Sequence, residues 1–152
     1  MEVEQEVWDF HGDDTQDWME SIFAQVFSIY ANAGFTVQIS EFLIWDTEDP
    51  YTGSTSEKLN QFRERHWTLM EDGIGWNGDL AHLVGFTGGG GIAYIDVICN
   101  DWYAYAYSAI NNGFADIPTY SWTVMVLAHE LGHNFGAPHT HDCVWSDTGY
   151  GD

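Results

Sequence analysis

Basic residues are scarce in this sequence of 152 residues. Three Lys and Arg stand against 24 Asp and Glu, which gives a formal net charge of −21 at pH 7. A negative charge of this size repels phosphate groups, so it argues against nucleic acids and anionic membranes as partners. Nor does any apolar run approach the ~20 residues that a membrane-spanning helix needs. We therefore expect neither nucleic-acid binding nor insertion into a membrane.

Cysteine is also rare. Cys99 and Cys143 are too few for a disulfide scaffold, and their spacing does not fit a structural zinc site. They can pair with each other, pair with cysteines outside this chain, or stay free. Aromatic residues, by contrast, make up 16% of the chain and include eight Trp. This composition is typical of a folded protein, and the length predicts one domain over residues 1–152.

The sequence predicts an alternation of strands and helices. Apolar residues at helical spacing follow a cap at residues 13–15, and Gly34 ends that helix. Ser56 or Thr55 can cap a second helix, and a last one spans 122–135. Strands are predicted at 2–10, 35–45, 80–86 and 92–99, with an irregular stretch at 100–121. This order indicates an α/β (α+β) fold with a mixed, mostly parallel, twisted sheet and packed helices.

One motif carries chemistry: the eleven residues HELGHNFGAPH, which begin at His129. His129 and His133 are four residues apart, so on a helix both imidazoles project from one face and can reach one metal ion. Glu130 can reach a water on that metal without binding the metal itself. Gly136 can end the helix and let the chain turn back, which brings His139 in as a third ligand. Three protein ligands leave one zinc position open for water, as in catalytic sites.

The spacing is specific enough to distinguish a zinc site from a surface helix that carries histidines by chance. With 7 His, 10 Glu and 16 Gly in the chain, a bare HExxH arises in about 2% of shuffled sequences. The full HExxHxxGxxH pattern arises in about 0.01% of them. The third His and the Gly therefore favour a zinc site over the alternative.

The eleven-residue string resembles the zinc-binding signature of the metzincin metalloendopeptidases. Its first eight residues are most similar to the reprolysin (adamalysin-like) branch. The similarity extends upstream to GGIAY at 90–94 and Cys99, which resemble that branch's edge strand. The strings DPYT at 49–52 and GAPHTHDC at 136–143 look more like secreted bacterial members than animal ones.

This resemblance implies a metzincin-like upper subdomain and a secreted zinc endopeptidase that acts on proteins or peptides. It implies Zn²⁺ bound by His129, His133 and His139, with Glu130 as the general base. It also implies an edge strand that pairs with extended substrate, and the residues concerned are Gly91, Ile92, Ala93 and Tyr94. The first six residues have neither the basic nor the apolar stretch of a signal peptide, so the secreted location follows from the resemblance alone.

Two departures from the family pattern matter. Reprolysins usually place Asp directly after the third His, whereas here Thr140 and His141 precede Asp142. Metzincins also have a methionine-bearing turn downstream of the third His, and all four methionines of this chain lie before His129. We therefore expect a catalytic domain that is incomplete at its C-terminus, with the lower subdomain largely absent. Two functions follow: an active zinc endopeptidase, or a catalytically silent zinc-binding fragment of one.

The remaining candidates are weaker. Four glycines at 88–91 lack the Lys-Ser/Thr of a phosphate-binding loop and predict a turn before an edge strand. His141 is interpreted as a loop residue or a neighbour of the ligands, because three ligands and a water complete a tetrahedral zinc site. Some relatives bind Ca²⁺, yet no calcium-loop spacing assigns it to residues here. Three histidines have no partner at ligand spacing: His11, His66 and His82. The oligomeric state is not predicted.

Overall fold

The fold is a mixed sheet between two layers of helices. The computed structural model describes residues 1–113 and 120–142. Its five strands are β1 (Glu2–Val3), β2 (Leu43–Ile44), β3 (Ala81–Gly85), β4 (Gly91–Ala93) and β5 (Tyr105–Ala109). They form one sheet in the order β2-β1-β3-β5-β4, and only β4 runs antiparallel to its neighbour. The predicted mixed, mostly parallel α/β class is thus confirmed.

Four α-helices cover the sheet: α1 (Gln5–His11), α2 (Thr15–Asn32), α3 (Thr55–Glu71) and α4 (Trp122–Asn134). Successive residues of β3 point to opposite faces, as a strand requires. Val84 packs with the apolar residues of α1, α2 and α4, such as Val7, Met19 and Leu127. Leu83 joins the second cluster, which packs under α3. The two apolar clusters therefore lie on opposite faces of the sheet.

The strand β5 corrects the prediction of an irregular stretch at 100–121. All five of its residues are buried, and it pairs with β3 on one side and β4 on the other. Its alternation of Tyr and Ala follows from this position. Tyr105 and Tyr107 fill the space under α3, whereas Ala106 and Ser108 occupy the opposite face of the strand.

The other strand predictions were too long. The predicted strand at 2–10 is only β1, because Val7 is buried on the helix α1 that follows. The segment at 35–45 pairs only over β2, a partly exposed edge strand and not a buried one. The segment at 92–99 pairs only over β4, and positive φ angles at Asp96 and Cys99 turn the chain away afterwards.

The N-cap of α3 lies one or two residues before the predicted cap at Thr55 or Ser56. Ser54 is its N-cap and forms a capping box with Glu57, an arrangement that satisfies the otherwise unpaired N–H groups of the first turn. All three basic residues of the chain lie on α3, at Lys58, Arg63 and Arg65. Lys58 Nζ lies 2.6 Å from Glu4 Oε2. Lys58 thus ties α3 to the N-terminal segment.

The carboxylate of Glu2 makes the second tie between α3 and the N-terminal segment. It lies 3.2 Å from Arg65 Nη1 and 2.9 Å from His66 Nε2. It also accepts hydrogen bonds from Trp45 Nε1 and Tyr51 Oη. Burial alone would raise the pKa of Glu2, but these hydrogen bonds and the Arg65 charge lower it. Glu2 is thus an ionised buried anchor for β1.

Candidate metal centre

The helix α4 places the motif against the sheet. Ser121 is its N-cap, and its side chain accepts a hydrogen bond from Val124 N. Thr123 is fully buried and its hydroxyl donates to Asn111 O at 2.6 Å. The apolar face of the helix, with Val124 and Leu127, packs into the core. These contacts fix the helix that carries the first two histidines.

Three imidazole nitrogens converge at the end of α4. His133 Nε2 lies 3.0 Å from His129 Nε2, and each of these atoms lies 3.2 Å from His139 Nε2. A tetrahedral zinc ion with Zn–N distances of ~2.0–2.1 Å holds two such nitrogens about 3.3–3.4 Å apart. Burial, and the two neighbouring imidazoles, lower the pKa of His129, which favours the neutral form that binds metals. The three side chains therefore fit a zinc ion in spacing and in chemistry.

The turn after α4 brings His139 to the cluster. Gly136 has a φ of +92°, a conformation that costs glycine little. Its N–H donates to His133 O, and Ala137 N–H donates to Gly132 O. The side chain of His133 donates from Nδ1 to Ala137 O at 2.7 Å. Because a carbonyl can only accept, this bond leaves Nε2 of His133 unprotonated and directed at the cluster.

Asp142 holds the third histidine, although it stands three positions after His139 and not directly after it. Asp142 Oδ2 accepts a hydrogen bond from His139 N at 3.1 Å and lies 3.4 Å from His139 Nδ1. From the sequence, only the displaced position of this Asp is evident. The exposed ring of His141 stacks on that of His139, with centroids 5.2 Å apart. A carboxylate next to a ligating imidazole is a common way to orient it.

Glu130 directly follows His129 on α4, and its side chain packs on the edge strand at Gly91. Its side chain is 3% exposed, and burial raises its pKa to about 7. A Cβ atom built on Gly91 would come within 2.5 Å of Glu130 Cδ, so a glycine is required at this point of β4. The four predicted substrate-contacting residues lie on β4 or directly after it, all half-buried. The fold thus brings the predicted base, Glu130, into contact with the first residue of the predicted substrate strand, Gly91.

The other histidines lie elsewhere. His66 contacts Glu2, His82 Nε2 lies 2.8 Å from Ser108 Oγ, and His11 stacks on Trp18. Among the described residues, the only groups of three or more His, Cys, Asp or Glu side chains close enough to share an ion are the three histidines and the set His139, His141 and Asp142. No carboxylate-only group is found there, so the structure does not support the suggested Ca²⁺. Cys99 is exposed and Cys143 lies outside the described residues, so the structure does not choose among the three options that the sequence leaves for them.

Comparison with known protein families agrees with this geometry. Residues 1–150 match a reprolysin-type model described as metallo-peptidase family M12. The chain belongs to this family, and it is therefore a zinc metalloendopeptidase by class, with peptides as substrates. A search of curated proteins gave no significant match. No helix in the described parts of the chain is long and apolar enough to cross a membrane.

Proposed function

We propose that His129, His133 and His139 hold one zinc ion and that Glu130 is the general base of peptide-bond hydrolysis. The observation that carries this proposal is the convergence of three Nε2 atoms within 3.2 Å of one another, with the buried Glu130 one residue after His129 on the same helix. The three histidines would hold the zinc ion, which when bound would lower the pKa of a water and polarise the scissile carbonyl.

The residues of the chain then have distinct roles. Glu130 accepts the proton of the attacking water and returns a proton to the departing amine. Glu130 follows His129 on α4 and is not one of the three residues whose ligand atoms lie close enough to share an ion, which supports a role as base and not as ligand. The hydrogen bond from His133 Nδ1 to Ala137 O and the contact of Asp142 with His139 keep two imidazoles in orientation.

The edge strand β4 is the proposed substrate platform. Among the described strands β4 has a single neighbour, β5, so its other edge has backbone groups available for pairing. An extended peptide that adds to this edge gains main-chain hydrogen bonds whatever its sequence. The contact between Gly91 and Glu130 places one end of that platform beside the proposed base. A secreted location remains a proposal that rests on the family resemblance.

Metal analysis combined with peptide hydrolysis tests the proposal. We expect one zinc per chain and cleavage of an unstructured protein substrate, lost with a chelator and restored by added zinc. His133→Ala should lose both zinc and activity, whereas the matched control His11→Ala should keep both. Full zinc binding by His133→Ala would refute the ligand set. Zinc binding without any hydrolysis would support the catalytically silent zinc-binding fragment instead.

A further inference from the structure

The motif on α4 contains two side-chain pairs at the same spacing. His129 and His133 form the first pair and face the metal cluster. Glu130 and Asn134 form the second pair, one residue further along the helix. Because residues four apart share a helix face, and a step of one residue rotates the face by ~100°, the second pair faces a different neighbour. That neighbour is the edge strand β4 and the residue after it.

Asn134 bridges the edge strand and the strand next to it. It is fully buried, and its Nδ2 donates to Tyr94 O at 2.9 Å and to Tyr105 O at 3.2 Å. Both partners are carbonyl oxygens, so only the NH₂ group of the amide can lie there. The direct bond between these strands at this point, from Tyr94 N to Tyr105 O, is long at 3.3 Å. The Asn134 amide therefore holds β4 and β5 together where their own pairing ends.

The backbone of the same helical turn is tied to the segment that follows β4. Asp96 N–H donates to His133 O and Val97 N–H donates to Asn134 O, both at 3.0 Å. These bonds satisfy carbonyl groups at the C-terminal end of α4, which lack partners within the helix. At its other end, β4 is fixed by the close packing of Gly91 on Glu130. The edge strand is thus attached to the metal-binding helix at both ends.

We propose that Asn134 is a positioning residue that fixes the register and distance of β4 relative to the metal centre. This inference rests on the proposed function, since it assumes that β4 binds the peptide and that the histidines hold the zinc. A peptide paired with β4 is placed by backbone hydrogen bonds, and a slip of one residue moves it by ~3.3 Å. A strand that is free to shift would therefore present the scissile carbonyl poorly, even with zinc in place.

Amide hydrogen exchange tests this role without any need for activity. The first variant, Asn134→Ala, removes the donor. The second, Asn134→Ser, keeps a small polar side chain and is used if Asn134→Ala does not fold. The matched control is Thr123→Val, which removes a buried hydrogen bond on the same helix but away from β4. In Asn134→Ala, exchange at 93–97 should become about 10-fold faster or more, with 81–85 unchanged. The control should show no such local change.

Peptide kinetics supply the second readout. For a long peptide that covers β4, kcat/KM of the Asn134 variants should fall about 10-fold or more. For a truncated peptide that keeps only the residues at the scissile bond, kcat/KM should change less than about 3-fold, and the zinc content should stay at the parent value. An equal loss on both peptides, or unchanged exchange at 93–97, would overturn the inference. Should the zinc-loaded parent cleave no peptide, the proposed function fails, and the exchange result alone decides whether Asn134 holds the strand.

Discussion

Single side chains outside the histidine motif hold its ligands in place. His133 is oriented by a backbone carbonyl, and His139 by the carboxylate of Asp142. Such partners fix the tautomer and the direction of an imidazole, and their loss typically weakens metal binding. The position of Asp142 shows that a two-residue shift along the chain need not move a carboxylate away from its histidine, because the chain turns between His139 and Asp142.

We expect Asp142→Ala to weaken zinc binding by about 10- to 100-fold. The reason is that the His139 ring loses the neighbour that orients it and the His139 N–H loses its acceptor. Competition with a chelator of known affinity measures this change. Asp46→Ala is the control, since this exposed Asp follows β2 at the opposite edge of the sheet. Equal affinities of Asp142→Ala and the parent would remove Asp142 from the site.

The side chain of His82 should make the free energy of unfolding depend on pH. Burial, with a smaller contribution from the α-amino group of Met1, lowers the pKa of His82 to about 3, against 6.5 when exposed. Between these values the unfolded chain binds a proton that the folded chain does not, so this group makes folding less favourable as the pH falls from 6.5 towards 3. His82→Gln should flatten the acid limb of the free energy of unfolding by up to about 1.4 kcal/mol per pH unit. Urea unfolding of the metal-free protein at several pH values measures the slope, and parallel limbs would contradict the assignment.

At the scale of helices and strands, the contact between β4 and α4 connects the proposed substrate platform to the proposed base. Gly91 permits this contact because its missing side chain leaves room for Glu130. The close approach is a packing requirement and not a matter of backbone conformation, since Gly91 is not among the residues with positive φ.

Gly91→Ala should therefore displace Glu130 and lower the free energy of unfolding by about 1–3 kcal/mol, as overpacking usually does. Peptidase activity should fall more than this loss of stability explains. Gly89→Ala offers a matched control, since a Cβ atom there meets nothing within 4 Å. Thermal unfolding and peptide kinetics of both variants make the comparison. Wild-type activity of Gly91→Ala would contradict this prediction, because it would show that the added methyl group does not displace Glu130 from its working position.

The elements that sequence analysis predicted well are those with a strong local signal. The helices α2 and α4 have apolar residues at helical spacing and end near Gly34 and Gly136. The strand β5 was missed because its Ala and Tyr residues do not alternate between polar and apolar. Both of its faces are buried in the fold, so the sequence carries no such alternation. The three histidines were predicted from their spacing. Asn134 was not, because its role depends on Tyr94 and Tyr105, which the fold alone brings near.

For the molecule as a whole, charge is the dominant property. Two of the three basic residues, Lys58 and Arg65, are paired with the buried carboxylates of Glu4 and Glu2. Little positive charge therefore remains to offset the other acidic residues, and their mutual repulsion destabilises the compact state. Screening by salt weakens that repulsion, because the screening length falls from ~30 Å at 0.01 M to ~3 Å at 1 M.

The melting temperature of the metal-free protein should accordingly rise with NaCl over this range. Each 1 kcal/mol of added stability raises the Tm of a domain of this size by about 2–4 °C. Calorimetry or circular dichroism measures the rise. The control is a concentration series of an uncharged solute at the same osmolality, since such a solute leaves the charge repulsion unscreened. A Tm that is constant or falls with NaCl would show that repulsion does not limit stability.

The central claim is that Glu130 is a base and not a ligand, and Glu130→Gln tests it most directly. The substitution keeps the size of the side chain but removes its ability to accept a proton. The zinc content of the variant should stay at that of the parent while kcat for peptide cleavage falls by at least about 10²–10⁴-fold, the usual contribution of a positioned general base. Loss of zinc would make Glu130 a ligand or a fold element, and retention of both zinc and activity would assign the base to another group.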